Sequence, residues 1–233
     1  MGRISFVIQD FNELSEEVSK YFIFLQDLEQ GKVKLIKEIQ GNNKANKIDV
    51  ELENTLKASA YLLLYNLIES TMKNAIEAIF QELQEKDVSF DKIRPELKKI
   101  ILVNLKGRNP DKILEKIQDI SLDIVSIGFN KEELFTGNID SKLIRETAKK
   151  YGFDSQTDDK KRTNDKISYL RLIKNNRNDL AHGNRPFGDV GKSKTADELI
   201  EIKKTIVEYL KGILENIETY IDNEEYLDST NAP

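Results

Sequence analysis

The chain has 233 residues, 39% hydrophobic and 33% charged, with a net charge of −5, 11 Gly, 4 Pro and no Trp. This suffices for one large domain or two small ones, and a composition rich in Lys, Glu, Leu and Ile but poor in turn residues predicts a mostly helical fold. The absence of cysteine excludes disulfides, zinc–thiolate sites and a cysteine nucleophile, and the negative balance argues against a protein coated in nucleic acid.

Acidic residues break up the amino-terminal stretch MGRISFVIQDFNELSEEV, where a signal peptide would keep an apolar run. No run of about 18 uncharged apolar residues occurs, so a soluble, cytoplasmic protein without membrane contact is expected. Phe11, Leu14, Val18, Tyr21/Phe22, Leu25 and Leu28 recur at helical spacing over residues 10–30, with Asp10 as N-cap and Gly31 as the interruption. GNNKANK (41–47) reads as a loop. Residues 49–86 form the longest helical stretch. Its centre, YLLLYNLIES, is apolar nearly all round and is expected to be the central buried helix.

A helix over residues 90–106 tolerates Pro95 only in its first turn. Asn109-Pro110 reads as N-cap plus N1, Ile113, Ile117, Ile120 and Ile124 follow at helical spacing, and Gly128 closes that helix. FTGNID (135–140) is a turn, with Asp140 or Ser141 capping a helix from 141 to 151. A further helix runs from 164 to 181, followed by a Gly/Pro loop at 183–195. Thr195 and Glu198 make a capping box for the last helix, 196–222. The sequence therefore predicts one all-α domain over residues 1–222. Its core helices are 49–86, 164–181 and 196–222, its inserted smaller helices lie at 90–157, and an acidic tail at 223–233 frays.

On the helix at 164–181, Ile167, Leu170, Ile173, Leu180 and Ala181 share one apolar face at about 100° per residue. Arg177 falls near the middle of that face, where a leucine would be expected. A buried guanidinium without a partner is very costly, so Arg177 must meet a carboxylate or line a cleft. The only histidine, His182, comes five residues later, about 140° away if the helix continued. Gly183 marks the helix end, which frees His182 from the wheel. A histidine at a helix carboxyl end also has an ordinary electrostatic explanation. On the 49–86 helix, Glu69 shares a stripe with Leu62, Tyr65, Ile76 and Phe80; it is a candidate acidic partner for Arg177 or His182, or else the border of a solvated strip.

Residues 160–194 carry ten basic side chains against three acidic ones. Lys174, Arg171, Arg185 and Lys192 in this window are candidate nucleic-acid contacts, although a solvated helix face would look similar. GDVGKSKT (188–195) is not a Walker loop, because the position that needs the first glycine is Pro186. With one histidine, no cysteine and acids scattered singly, no metal site and no cofactor are expected.

RNDLAH matches the R-x4-6-H pattern of HEPN domains. Together with YNLIESTMKNAI, FTGNIDSKLIRETAKKYGF, RNDLAHGNRPFGDVGKSKTADEL and VEYLKGILENIETYI, it makes the chain resemble the MAE_28990/MAE_18760-like HEPN group of prokaryotic proteins over most of residues 50–221. The resemblance implies an all-α HEPN-like bundle with an inserted set of smaller helices. It also implies a dimer, with the same chain or a related HEPN chain, in which motif helices face each other across a cleft.

By resemblance, too, the chain would cleave RNA without a metal, as a toxin or anti-phage effector restrained by an antitoxin or defence-system partner. Arg177 and His182 would take the catalytic positions, Asn178 the supporting polar position and Glu69 an acidic position on the earlier helix. The alternative is a non-catalytic HEPN module that binds RNA, a nucleotide or a partner protein.

Overall fold

In a computed structural model of the chain, residues 2–39, 42–46, 48–114, 120–157 and 163–229 are described. The architecture is all-α, with one two-stranded hairpin among these residues. In chain order the elements are α1 (Arg3–Glu29), β1 (Leu35–Ile39), β2 (Asn42–Asn46), α2 (Val50–Glu85), α3 (Pro95–Lys106), α4 (Pro110–Leu114), α5 (Ile120–Ile127), a 3-10 turn (Lys131–Glu133), α6 (Ser141–Tyr151), α7 (Thr163–Ala181), α8 (Phe187–Gly191) and α9 (Ala196–Asp222). Contacts gather into two compact units, one comprising Phe11–Ile68 and Lys161–Glu208, the other Met1–Asp10, Glu69–Lys160 and Tyr209–Pro233.

Several helix ends follow from local capping chemistry. Asn109 Oδ1 accepts from Asp111 N–H (2.9 Å) at the start of α4. Asp140 Oδ1 accepts from Lys142 and Leu143 N–H (both 3.0 Å) at the start of α6. At α9 the capping box forms reciprocally, Thr195 N–H donating to Glu198 Oε2 (2.9 Å) and Glu198 N–H to Thr195 Oγ1 (3.2 Å). Pro95 occupies the first helical position of α3, where its missing N–H removes nothing; the helix expected from residue 90 therefore starts there.

Four expectations need correction. α1 begins at Arg3, not at an Asp10 cap, because the apolar stripe already starts at Ile4, which is buried like Phe11. Asn42–Asn46 pairs antiparallel with Leu35–Ile39 and is not a loop; polar residues there take their order from backbone pairing. Within the 183–195 loop, residues 187–191 form the helical turn α8. The tail is packed as far as residue 229: Tyr226 is fully buried, Arg94 N–H donates to Tyr226 O (2.9 Å), Asp228 N–H donates to Lys92 O (2.8 Å), and Ile93 bridges to Leu227. Ile117, Lys160, Lys161 and Arg162 lie outside the described residues.

The unit that carries RNDLAH packs Phe11, Val18, Phe22 and Leu25 of α1, Tyr61, Leu64 and Tyr65 of α2, Leu170 and Ile173 of α7, and Leu199, Ile202 and Ile206 of α9 into its core. A charged knot is embedded beside them. Lys57, 8% exposed in its side chain, pairs with Glu29 (3.1 Å) and Glu53 (3.3 Å). Glu29 also accepts from Ala196 N–H (2.8 Å), so one lysine links α1, α2 and the start of α9. Its charge is tolerated inside because both carboxylates meet it there.

The second unit is organised by aromatic rings. Phe80 stacks on Phe129 (centroids 4.4 Å apart) and meets Tyr151 edge-on (6.0 Å), geometries that satisfy ring quadrupoles. Tyr220 donates to Tyr151 O (2.8 Å). Gly128 closes α5 for a steric reason, since a Cβ there would overlap the Ile101 side chain of α3.

Candidate functional site

α7 ends in a Schellman closure. His182 N–H makes the last helical bond, to Asn178 O (3.0 Å), Gly183 N–H turns back to Leu180 O (3.3 Å), and Asn184 N–H reaches Asp179 O (2.8 Å). Gly183 has φ +67, the left-handed conformation this closure uses and glycine adopts without steric cost. Leu180 is buried beneath the closure, whereas His182 is exposed. The helix thus delivers its histidine to the surface at the residue where the axis stops.

The wheel around Arg177 is partly altered. Leu170, Ile173 and Leu180 face the core as expected, and Lys166 and Asn176 are buried with them. Ile167 is only half-buried and Ala181 is exposed, so the buried stripe is rotated away from Ala181. Arg177 is half-buried. Its guanidinium carbon stands 4.2 Å from the centroid of the Tyr65 ring, and Nη1 donates to Asn178 Oδ1 (2.9 Å). Sequence reasoning sought a carboxylate for this cation; its partners include an aromatic face and an amide. A guanidinium held over a buried ring is attracted by the ring's negative face without losing its charge.

Asn178 meets both motif residues. Its side-chain oxygen holds Arg177, and its backbone oxygen holds the amide of His182. The first contact belongs to the Asn178 side chain; the second is the ordinary helical bond, which holds the backbone of His182.

The residues after the closure are pinned by Arg185. Its Nη1 donates to Asn176 Oδ1 (3.4 Å) and lies 3.7 Å from Asp179 Oδ2, its Nη2 donates to Asp189 O (3.2 Å), and its own N–H donates to Asp179 O (3.4 Å). Lys192 donates to Asp189 Oδ1 (2.6 Å). That bond, with the charges of Lys192 and Arg185, holds the Asp189 carboxyl below the usual carboxylate range. Gly191 ends α8 against Asn54, where a Cβ would overlap the backbone carbonyl. Of the other candidate nucleic-acid contacts, Arg171 is exposed and Lys174 half-buried.

Glu69 belongs to the other unit, where Lys73 engages its carboxylate at 3.0 Å along the same helix. Sequence reasoning missed Tyr65 as the platform for Arg177, and it missed Asn176, Asp179 and Asp189 as the partners of Arg185. Tyr65 was legible only as a member of an apolar stripe; the two aspartates show no spacing signal beyond their nearness to the motif. Among the described residues no group of three or more His, Asp or Glu is placed to hold a metal ion, and no helix is long and apolar enough to cross a membrane.

The sequence profile of the MAE_28990-like HEPN family matches residues 5–226. The chain belongs to this HEPN family. The match takes in nearly the whole chain, so α1 and the residues beyond α9 are parts of the HEPN chain and not additions to it. No curated protein and no solved structure gives a significant match. HEPN domains are often RNases, and the family also points to nucleotide-related modules.

Proposed function

We propose that this HEPN chain is a metal-independent endoribonuclease, acting as a single HEPN-like domain that extends past the expected end at residue 222 into the packed residues beyond α9, and as a toxin or anti-phage effector. The observation that supports this reading most directly is Arg177, held over the Tyr65 ring and bonded to Asn178, five residues before an exposed His182 at the end of the same helix. Family membership supports it independently.

In this reading the 2′-oxygen of the substrate attacks the adjacent phosphorus. The 2′-O–P bond forms, the P–O5′ bond breaks, and the products carry a 2′,3′-cyclic phosphate and a 5′-OH. One imidazole accepts the 2′-OH proton while another, protonated, gives a proton to the departing O5′. Histidine is suited to both tasks near neutral pH. Arg177 stabilises the charge that develops on the phosphorane oxygens, and Asn178 positions it. The chain has one histidine, so the second is His182 of the partner subunit, in a homodimer or a heterodimer with a related HEPN chain. Arg171 and Lys174 guide the RNA backbone. Arg185 and Lys192 contribute charge while holding the loop. Glu69, paired with Lys73, takes the family's acidic position on α2. No cofactor takes part.

Purified protein incubated with total RNA in EDTA tests the proposal. Cleavage leaving cyclic phosphate ends, lost in His182→Ala, is the expected result. An inert wild type that still binds RNA, a nucleotide or a neighbouring chain returns the assignment to a non-catalytic HEPN module.

A further inference from the structure

A cleft of about 760 Å³ opens in the second unit, lined by α3, the 3-10 turn and its following loop, and α6. Its size falls within the range of about 300–1,000 Å³ typical of small-molecule sites. Ile100, Val103, Leu134, Phe135, Leu143 and Tyr151 give it an apolar lining.

The charges at its edge are not equivalent. Three acids line it, and each has a partner within the chain: Glu96 with Arg94 (2.9 Å), Glu133 with Asn130 Nδ2 (2.8 Å) and Glu146 with Lys142 (3.8 Å). Three lysines line it too, Lys99, Lys149 and Lys150, and all three are exposed and form no ion pair with any described residue. Only Glu133 lacks a cationic partner, and Lys99 also acts on Glu96, so three lysines still outweigh the acids and the balance of the cleft is positive. One wall is a loop in which Phe135, Thr136 and Gly137 all adopt positive φ (65, 32 and 76). Phe135 pays for that conformation with its ring seated in the lining, 6% exposed.

We infer that this cleft binds an anionic amphiphile, a molecule with an apolar body that lies along Ile100, Val103, Leu134 and Leu143 and a carboxylate or phosphate that meets Lys99, Lys149 and Lys150. The site is separate from the RNDLAH motif and does not depend on the ribonuclease reading. A free fatty acid and a lipid headgroup with its chain share this chemistry, and binding assays can tell them apart.

The probe is 8-anilinonaphthalene-1-sulfonate, an aromatic body bearing a sulfonate, titrated into the full chain by fluorescence. The expected result is one saturable site, displaced by dodecanoate and not by dodecyltrimethylammonium. Reversing charge in a K149E/K150E variant is expected to weaken binding by about tenfold, the loss and inversion of two surface ion pairs. A V103D variant, which alters a side chain 71% exposed and so leaves the fold intact, is expected to weaken it as well. Displacement by phosphatidylglycerol vesicles but not by free dodecanoate would assign the site to membrane lipid, and the converse to a free acid. No saturable binding by the wild type, equal affinity in K149E/K150E, or equal displacement by the cationic amphiphile would overturn the inference.

Discussion

Among the described residues three helices end on a left-handed glycine, α1 at Gly31 (φ +71), α6 and α7, and the last two end differently. α6 stops at Gly152, φ +92, and α7 at Gly183, φ +67. At Gly152 the space for a Cβ is filled by the Arg94 guanidinium, which donates to Gly152 O (3.2 Å), to Glu225 O (3.3 Å) and to Glu96 (2.9 Å). At Gly183 nothing lies within 4 Å. Both place a glycine in the left-handed region, α6 with the single bond from Gly152 N–H to Ala148 O (2.7 Å) and α7 with the Schellman pair, but the first is sealed by an arginine and the second is left open with a histidine beside it. A sealed end needs no explanation beyond stability. Gly31 is equally open, so openness alone marks no site; what sets Gly183 apart is the exposed His182 beside it.

The largest contrast is expected between activity and stability at the open end. His182→Ala is expected to lower RNA cleavage by about 10²–10⁴-fold, the usual contribution of a proton-transfer group. Its thermal midpoint should stay within about 2 °C of the wild type, as for an exposed side chain. A comparable loss of stability would place His182 in the fold and not in the chemistry. Arg177→Lys tests the stacked guanidinium: a lysine keeps the charge but loses the planar fork, and cleavage is expected to fall about 10²-fold.

The glycines themselves sharpen the comparison. Gly152→Ala combines a disfavoured φ with overlap on Arg94 and is expected to cost about 2–4 kcal/mol in denaturant unfolding. Gly183→Ala meets only the backbone penalty, about 1 kcal/mol. Equal costs would mean that the two closures are packed alike. A smaller effect concerns the loop after Gly183. Its Asp189 carboxyl is held low in the folded chain, so the clamp is intact above the ordinary carboxylate pKa of about 3.9 and is lost as pH falls through the lowered value. The protection factors of the amides of Asp189 to Lys192, exchange rates divided into those of the unstructured chain at the same pH, should fall at acid pH and, in Lys192→Ala, already near neutrality. No change in either would show that the ion pair does not hold the loop.

The sequence revealed the fold wherever a helix end is decided within a few residues. The reciprocal bonds of Thr195 and Glu198, the Asp140 cap and Pro95 at a first helical position each depend only on near neighbours. The start of α1 was hidden because Arg3 is preceded by no capping residue, and the hairpin because its order comes from backbone pairing between strands of which the second is polar. Burial of Tyr226 was hidden because its surroundings come from elsewhere in the chain, and acidic neighbours gave the tail a solvated look. At the candidate site, Arg177 was legible as a charge on an apolar face and Gly183 as a helix end. The Tyr65 platform was not, since an aromatic ring that faces an arginine on another helix leaves the same periodic trace as one packed on leucine. Asn178 could be read as a polar companion, but its side-chain bond to Arg177 is visible only in three dimensions.

The account turns on two imidazoles, one from each protomer, acting on one RNA strand. Wild-type protein can be co-refolded with rising fractions of His182→Ala protein at constant total concentration, and cleavage in EDTA measured. The account predicts that activity falls as the square of the wild-type fraction, because every mixed dimer lacks one of its two proton-transfer groups. A strictly linear fall would contradict it, since each chain would then cut RNA with its own histidine alone.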